Sequence, residues 1–153
     1  EDGNLFQIIE HLRDISNEKH AEIELKEVHE SLITVLASIE AHIYVADFDS
    51  YEILFMNKKM IEDFNAALVG QKCYQSFRNE DSPCHICTNS LLLDENNQPK
   101  DVHAWQGQNP VTGRWYMNFD RAINWVDGRI ARIQIAMDIT DQSMTHWRLR
   151  SRI

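Results

Sequence analysis

Residues 114–139 constrain the fold more than any other stretch. Arg114–Ile123 alternates, with Trp115, Met117 and Phe119 on one side and Tyr116, Asn118 and Asp120 on the other. Further on, Ile133, Ile135, Met137 and Ile139 share a face opposite Arg132, Gln134, Ala136 and Asp138. A strand turns successive side chains to opposite faces, so this period of two on both sides predicts two long strands. Asn-Trp-Val-Asp-Gly-Arg-Ile at 124–130 lies between them. Its Asp127-Gly128 predicts an antiparallel hairpin closed by a tight primed turn.

The rest of the chain reads outward from that hairpin. Leu5–Ile9 is apolar enough for a strand, and Arg13-Asp14-Ile15-Ser16 echoes Met137-Asp138-Ile139-Thr140. Residues 1–16 are therefore expected to be the closing strand of an upstream domain. Asn17–Glu40 contains no Gly or Pro, and Ser16 or Asn17 can cap a helix there. Ala21, Leu25, Val28, Leu32, Val35 and Ile39 recur at 4-3-4-3-4, the spacing of a two-stranded coiled coil. A parallel homodimer through this helix is expected, set against the plainer reading of an amphipathic helix packed on its own domain.

From Ala41 the pattern becomes globular. His42–Ala46 and Glu52–Met56 read as short strands around the turn Asp47–Ser50. Asn57 is placed to cap a helix carrying Met60, Ile61, Phe64 and Leu68, with Gly70 at its end. Residues 71–90 read as short helical turns and loop, and Thr88 as the cap of a helix containing Leu91–Leu93. Val102–Gln106 is a further strand, and the hairpin completes the set. Two strands, then helices, then three strands predict an α+β fold with an antiparallel sheet.

Five segments sharpen this. Ile53-Leu54-Phe55-Met56-Asn57-Lys58-Lys59-Met60 runs from a strand through Asn-Lys into a helix, and Asp138-Ile139-Thr140 closes the last strand. Gly70-Gln71-Lys72-Cys73-Tyr74, Pro83-Cys84-His85-Ile86-Cys87-Thr88-Asn89 and Thr112-Gly113-Arg114-Trp115-Tyr116 stand between. Together they resemble a cysteine-containing subgroup of PAS sensor domains in bacterial histidine kinases and GGDEF diguanylate cyclases. Over residues 41–141 the resemblance implies a five-stranded antiparallel sheet with helices on one face and a pocket between them. It also implies signal transfer through flanking helices, the second beginning in residues 142–153. The ligand is not implied, because one fold serves many sites.

Cys73, Cys84 and Cys87 carry whatever chemistry is present. A Cys-x-x-Cys spacer lets Cys84 and Cys87 chelate one soft ion, zinc first, with Cys73 as a third ligand and His103 or His85 as the fourth. Two other readings stand beside this: three small residues packing a loop, and a thiol–disulfide switch. Cys-His-Ile-Cys does not match the Cys-x-x-Cys-His of covalent haem attachment. Phe55, Phe64, Trp105, Trp115 and Phe119 are the candidates for a ligand pocket, weighed against service as plain core.

Composition narrows the partners. A net charge of −9 and a pI near 5.1 argue against nucleic acid or an anionic membrane surface. No apolar run approaches the roughly 18 residues of a membrane span. Three cysteines in a chain of 153 residues suit a reducing compartment, and the absence of an initial Met suits a fragment. The expectation is a non-catalytic sensory module in the cytoplasmic portion of a soluble or membrane-anchored bacterial protein, linked to a kinase or cyclase output. The alternatives are a thiol–disulfide oxidoreductase using Cys84 and Cys87, and a ligand-free dimerisation spacer.

Overall fold

A computed structural model describes residues 2–141, which fall into two compact units divided after Ser38. The first unit is helix α1, Asp2–Ser38. Leu5–Ile9 is thus helical, correcting the strand expected there, and the helix begins well before Asn17. The physical reason is in the spacing. Leu5, Ile8, Ile9, Leu12 and Ile15 recur every three or four residues, and no Gly or Pro interrupts 4–38. Asp14-Ile15-Ser16 lies inside this helix and closes no strand. Among the described residues, no helix is long and apolar enough to cross a membrane. The helix expected from Gln142 lies outside the described residues.

The second unit is an α+β domain. Strands β1 (His42–Asp47), β2 (Ile53–Met56), β3 (His103–Gln108), β4 (Trp115–Asn124) and β5 (Ile130–Asp138) form one sheet in the order β2-β1-β5-β4-β3. All four pairings are antiparallel. Three short helices, α2 (Lys58–Phe64), α3 (Cys73–Arg78) and α4 (Asn89–Leu92), fall between β2 and β3. This is the PAS fold. The strands that begin and end the domain, β1 and β5, lie side by side in the middle of the sheet.

Local chemistry explains the joints. Asn57 caps α2 by accepting from the Met60 N–H at 3.2 Å, and the same Oδ1 accepts from the Ile43 N–H at 3.0 Å. Its Nδ2 donates to the Ala41 carbonyl at 2.9 Å, so one buried amide ties β2 and α2 to the entry of β1. α2 stops at Asn65 in the left-handed conformation (φ 55°), earlier than the Gly70 stop expected, and Leu68 packs from the loop beyond. Thr88 precedes α4 but makes no side-chain cap, because its hydroxyl is engaged elsewhere. The β4–β5 connection differs in type from the primed turn expected. Gly128 alone has a positive φ, 86°, and its N–H donates to the Trp125 carbonyl. That is an ordinary turn followed by a left-handed glycine, a geometry that longer hairpin loops favour.

The core holds Tyr44, Ala46, Ile53, Met56, Met60, Cys73 and Phe77. The alternation in β4 and β5 is as read, but its inner side is the polar one. Tyr116, Asn118, Asp120 and Ala122 are buried, whereas Trp115 is exposed and Met117 and Phe119 only half-buried. In β5, Arg132 and Ala136 are buried on the same inner side. The apolar set Ile133, Ile135 and Phe119 pairs with Ile43, Val45 and Phe55 across the outer face of the sheet.

Candidate functional site

Because the inner face is polar, the space between sheet and helices becomes a cavity rather than a sealed core. Its volume is about 60 Å³, room for roughly four to six waters at about 10–15 Å³ each. The sheet contributes His42 and Tyr44 from β1, Trp105 and Gly107 from β3, Tyr116 and Asn118 from β4, and Arg132, Gln134 and Ala136 from β5. Met60 and Phe64 of α2, Cys73, Phe77 and Arg78 of α3, and Cys84, Ile86 and Thr88 of the following loop close it. Aromatic contacts fix part of the wall, with ring centroids 4.7 Å apart for Tyr44 and Phe77 and 5.1 Å for Phe64 and Phe77. His42 sits edge-on to Phe64, and its Nε2 lies 2.7 Å from Asp63 Oδ2.

Arg132 is the organising side chain, 5% exposed. Its Nη2 donates to the Tyr44 hydroxyl at 2.6 Å and to Cys73 Sγ at 3.7 Å, while Nη1 donates to Cys87 Sγ at 3.7 Å. The guanidinium also lies over the Tyr44 ring, 5.6 Å from its centroid. Burial opposes its charge, yet the negative ends of Tyr44, Cys73, Asp120 and Cys87 outweigh that and hold it charged. Conversely, burial pushes the Tyr44 hydroxyl well above the usual tyrosine range, with Arg132 opposing.

Two of the three cysteines, Cys73 and Cys87, meet at this guanidinium. All are free thiols. The Cys84 S–H donates to Cys87, which draws the Cys87 thiol down to about 6 against the penalty of burial. The Asn89 backbone N–H and Arg132 help in the same direction. Cys84 is pushed up by that bond and by burial. Cys73 is also pushed up, chiefly by burial.

Among the described residues, no group of three His, Cys, Asp or Glu side chains is arranged to hold a metal ion. A fixed cation already stands between Cys73 and Cys87, and it repels a second one. Neither candidate for a fourth ligand joins the sulfurs. The His85 side chain is 80% exposed and lies 3.7 Å from Glu80. His103 opens β3 opposite Asp120 and does not line the cavity.

Of the aromatic candidates, Phe64 and Trp105 line the cavity, whereas Phe55, Trp115 and Phe119 lie on the outer face and do not. Trp105 is held by a buried cluster that the sequence reading missed. Asp120 is fully buried, and its Oδ2 accepts from Trp105 Nε1 and from Thr88 Oγ1, both at 2.7 Å. The available signal was Asp120 on the Tyr116 side of an alternating strand, which marks a buried carboxylate once that side is known to face inward. Gly107 completes the arrangement. A Cβ there would stand 2.6 Å from the Trp105 ring, so the ring lies across the strand only because the residue is glycine.

Comparison with solved structures places the architecture. The PAS domain of an HTR-like protein from Haloarcula marismortui superposes with a TM-score of 0.54 at 16% identity, over 79% of this chain and 99% of that one. A second structure, of a domain of an HTR-like protein from the same organism, gives 0.52 at 20% identity, over 67% of this chain and 100% of its own. The PAS domain of Bordetella pertussis BvgS gives 0.50 at 15% identity, over 85% and 98%. No protein-family model and no curated protein matches the sequence.

Proposed function

We propose that this chain is a regulatory sensory module, without catalysis of its own, in a multidomain bacterial signalling protein. The observation that carries this is the placement of the cavity on the strands through which the chain enters and leaves the domain. His42, at the start of β1, lines the cavity and follows the end of α1 by four residues. Its register partner Ala136 lines the cavity from β5, two residues before that strand ends. Anything that alters the cavity therefore acts on adjacent central strands continuous with both flanking segments, and biases them between two arrangements.

The output in this reading is a histidine kinase or diguanylate cyclase in the cytoplasm. The signal crosses a parallel homodimer through α1, supported by the exposed Leu25, Val28, Leu32 and Val35. The oxidoreductase alternative draws support from the Cys84–Cys87 pair, and turnover of a disulfide substrate would establish it. For the sensory reading, the chain is fused in frame ahead of a diguanylate cyclase and Ala136 is replaced by Leu to fill the cavity. A shift in cyclase output of several-fold is expected, with cyclic dinucleotide as the readout. Output identical to that of the unsubstituted fusion, in a folded protein, would refute the reading.

A further inference from the structure

We propose that the cavity is the binding site of a small monocarboxylate whose anionic head is taken by Arg132 and Arg78. The assignment names the ligand of the sensory reading and rests on it only in sharing the cavity.

The first ground is charge. The chain holds 24 Asp and Glu against 15 Lys and Arg, yet the cavity wall contains two arginines and no carboxylate. Neither arginine has a carboxylate within 4.0 Å among the described residues. His42, the other basic group in the wall, is already engaged by Asp63. Asp120 balances Arg132 through its field and Cys87 Sγ accepts from the Arg132 Nη1, but the Asp120 Oδ2 is occupied by Thr88 and Trp105, and neither Asp120 nor Cys87 is part of the wall. Arg78 has no such partner. Its Nη1 donates to the Gln108 carbonyl, a neutral acceptor.

The second ground is unmet hydrogen bonding. Nε of Arg78 and Nε of Arg132 are both buried without a partner. A buried donor on a charged group is costly to leave unpaired, and a carboxylate is the acceptor that suits a guanidinium fork. The opposing wall sets the remainder of the ligand. Met60, Phe64, Phe77 and the ring of Tyr116 offer apolar and aromatic surface, which fits a short hydrocarbon body. A cavity of about 60 Å³ limits that body to a few heavy atoms.

The test is calorimetric titration of the full chain, at constant ionic strength in chloride, with acetate, propionate and pyruvate. Propionamide and inorganic phosphate serve as controls. One carboxylate is expected to bind with one-to-one stoichiometry, and Arg132→Gln to weaken it by roughly tenfold or more, as loss of a charge-assisted bond implies. Arg132 is packed in the core, so Arg78→Gln, with folding checked by circular dichroism, gives an independent second reading and is expected to weaken binding in the same direction. Propionamide binding as tightly as propionate, phosphate binding more tightly than every carboxylate, or unchanged affinity in both folded variants would overturn the proposal. So would the absence of carboxylate binding at millimolar concentration. Carboxylate binding without any change in a fused output would uphold the ligand and refute the sensory reading. An output that responds to Ala136→Leu in a chain that binds no carboxylate would do the reverse.

Discussion

Replacing Asp120 by Asn keeps the shape of the side chain and removes its charge, which isolates what the carboxylate contributes. Its Oδ2 accepts two hydrogen bonds, from Thr88 and Trp105, each at 2.7 Å. Bonds to a charged acceptor contribute about 1.5–3 kcal/mol and neutral ones about 1 kcal/mol, so the two together lose roughly 1–4 kcal/mol. The new amide nitrogen replaces an Oδ1 that already has no partner, adding buried donors at about 1 kcal/mol or more. Arg132 also loses its buried counter-charge. The sum is about 2–5 kcal/mol, against the roughly 5–15 kcal/mol of an ordinary domain, so a domain of middling stability still folds with it. Urea unfolding followed by tryptophan fluorescence measures the loss directly. A second arm combines Asp120→Asn with Arg132→Met. If the two charges support each other, the double variant should be about 1 kcal/mol or more less destabilised than the two single losses combined. A loss under about 1 kcal/mol for Asp120→Asn, with strict additivity in the cycle, would refute the reasoning.

The remaining predictions concern the same wall. Cys87, with its thiol near 6, is a thiolate above that pH and a thiol below it. Its iodoacetamide labelling should therefore be near its plateau at neutral pH and fall as the pH drops through about 6. Cys73 and Cys84, both pushed up, should label slowly at neutral pH. Peptide mass spectrometry of the time course checks this, and Cys84→Ala should move the midpoint upward because it removes the donor. Gly107→Ala places a methyl group against the Trp105 ring. It should displace the indole from Asp120, visible as a shifted Trp105 side-chain N–H resonance, and destabilise the domain by about 1–3 kcal/mol as overpacking does.

How much could be read from the chain alone differs by element. The hairpin around Asp127-Gly128, the α2 cap at Asn57 and the order of strands and helices follow from local rules, because periodicity, capping and turn chemistry act over a few residues. The helix over 2–16 was equally legible in its three- and four-residue spacing, and a short apolar run drew the reading away to a strand. By contrast, alternation shows that the two faces of a strand differ without showing which one meets the helices. The apolar rule placed Trp115 and Phe119 inside, whereas the structure turns Tyr116, Asn118 and Asp120 inward. Only the tertiary fold decided that, because burial of a polar face depends on partners elsewhere: Thr88 and Trp105 for Asp120, Tyr44 for Arg132. The sulfurs illustrate the same division. Cys-x-x-Cys fixed Cys84 and Cys87 as neighbours, but the group that brings Cys73 to them is an arginine 59 residues away on β5. No spacing rule reaches that far.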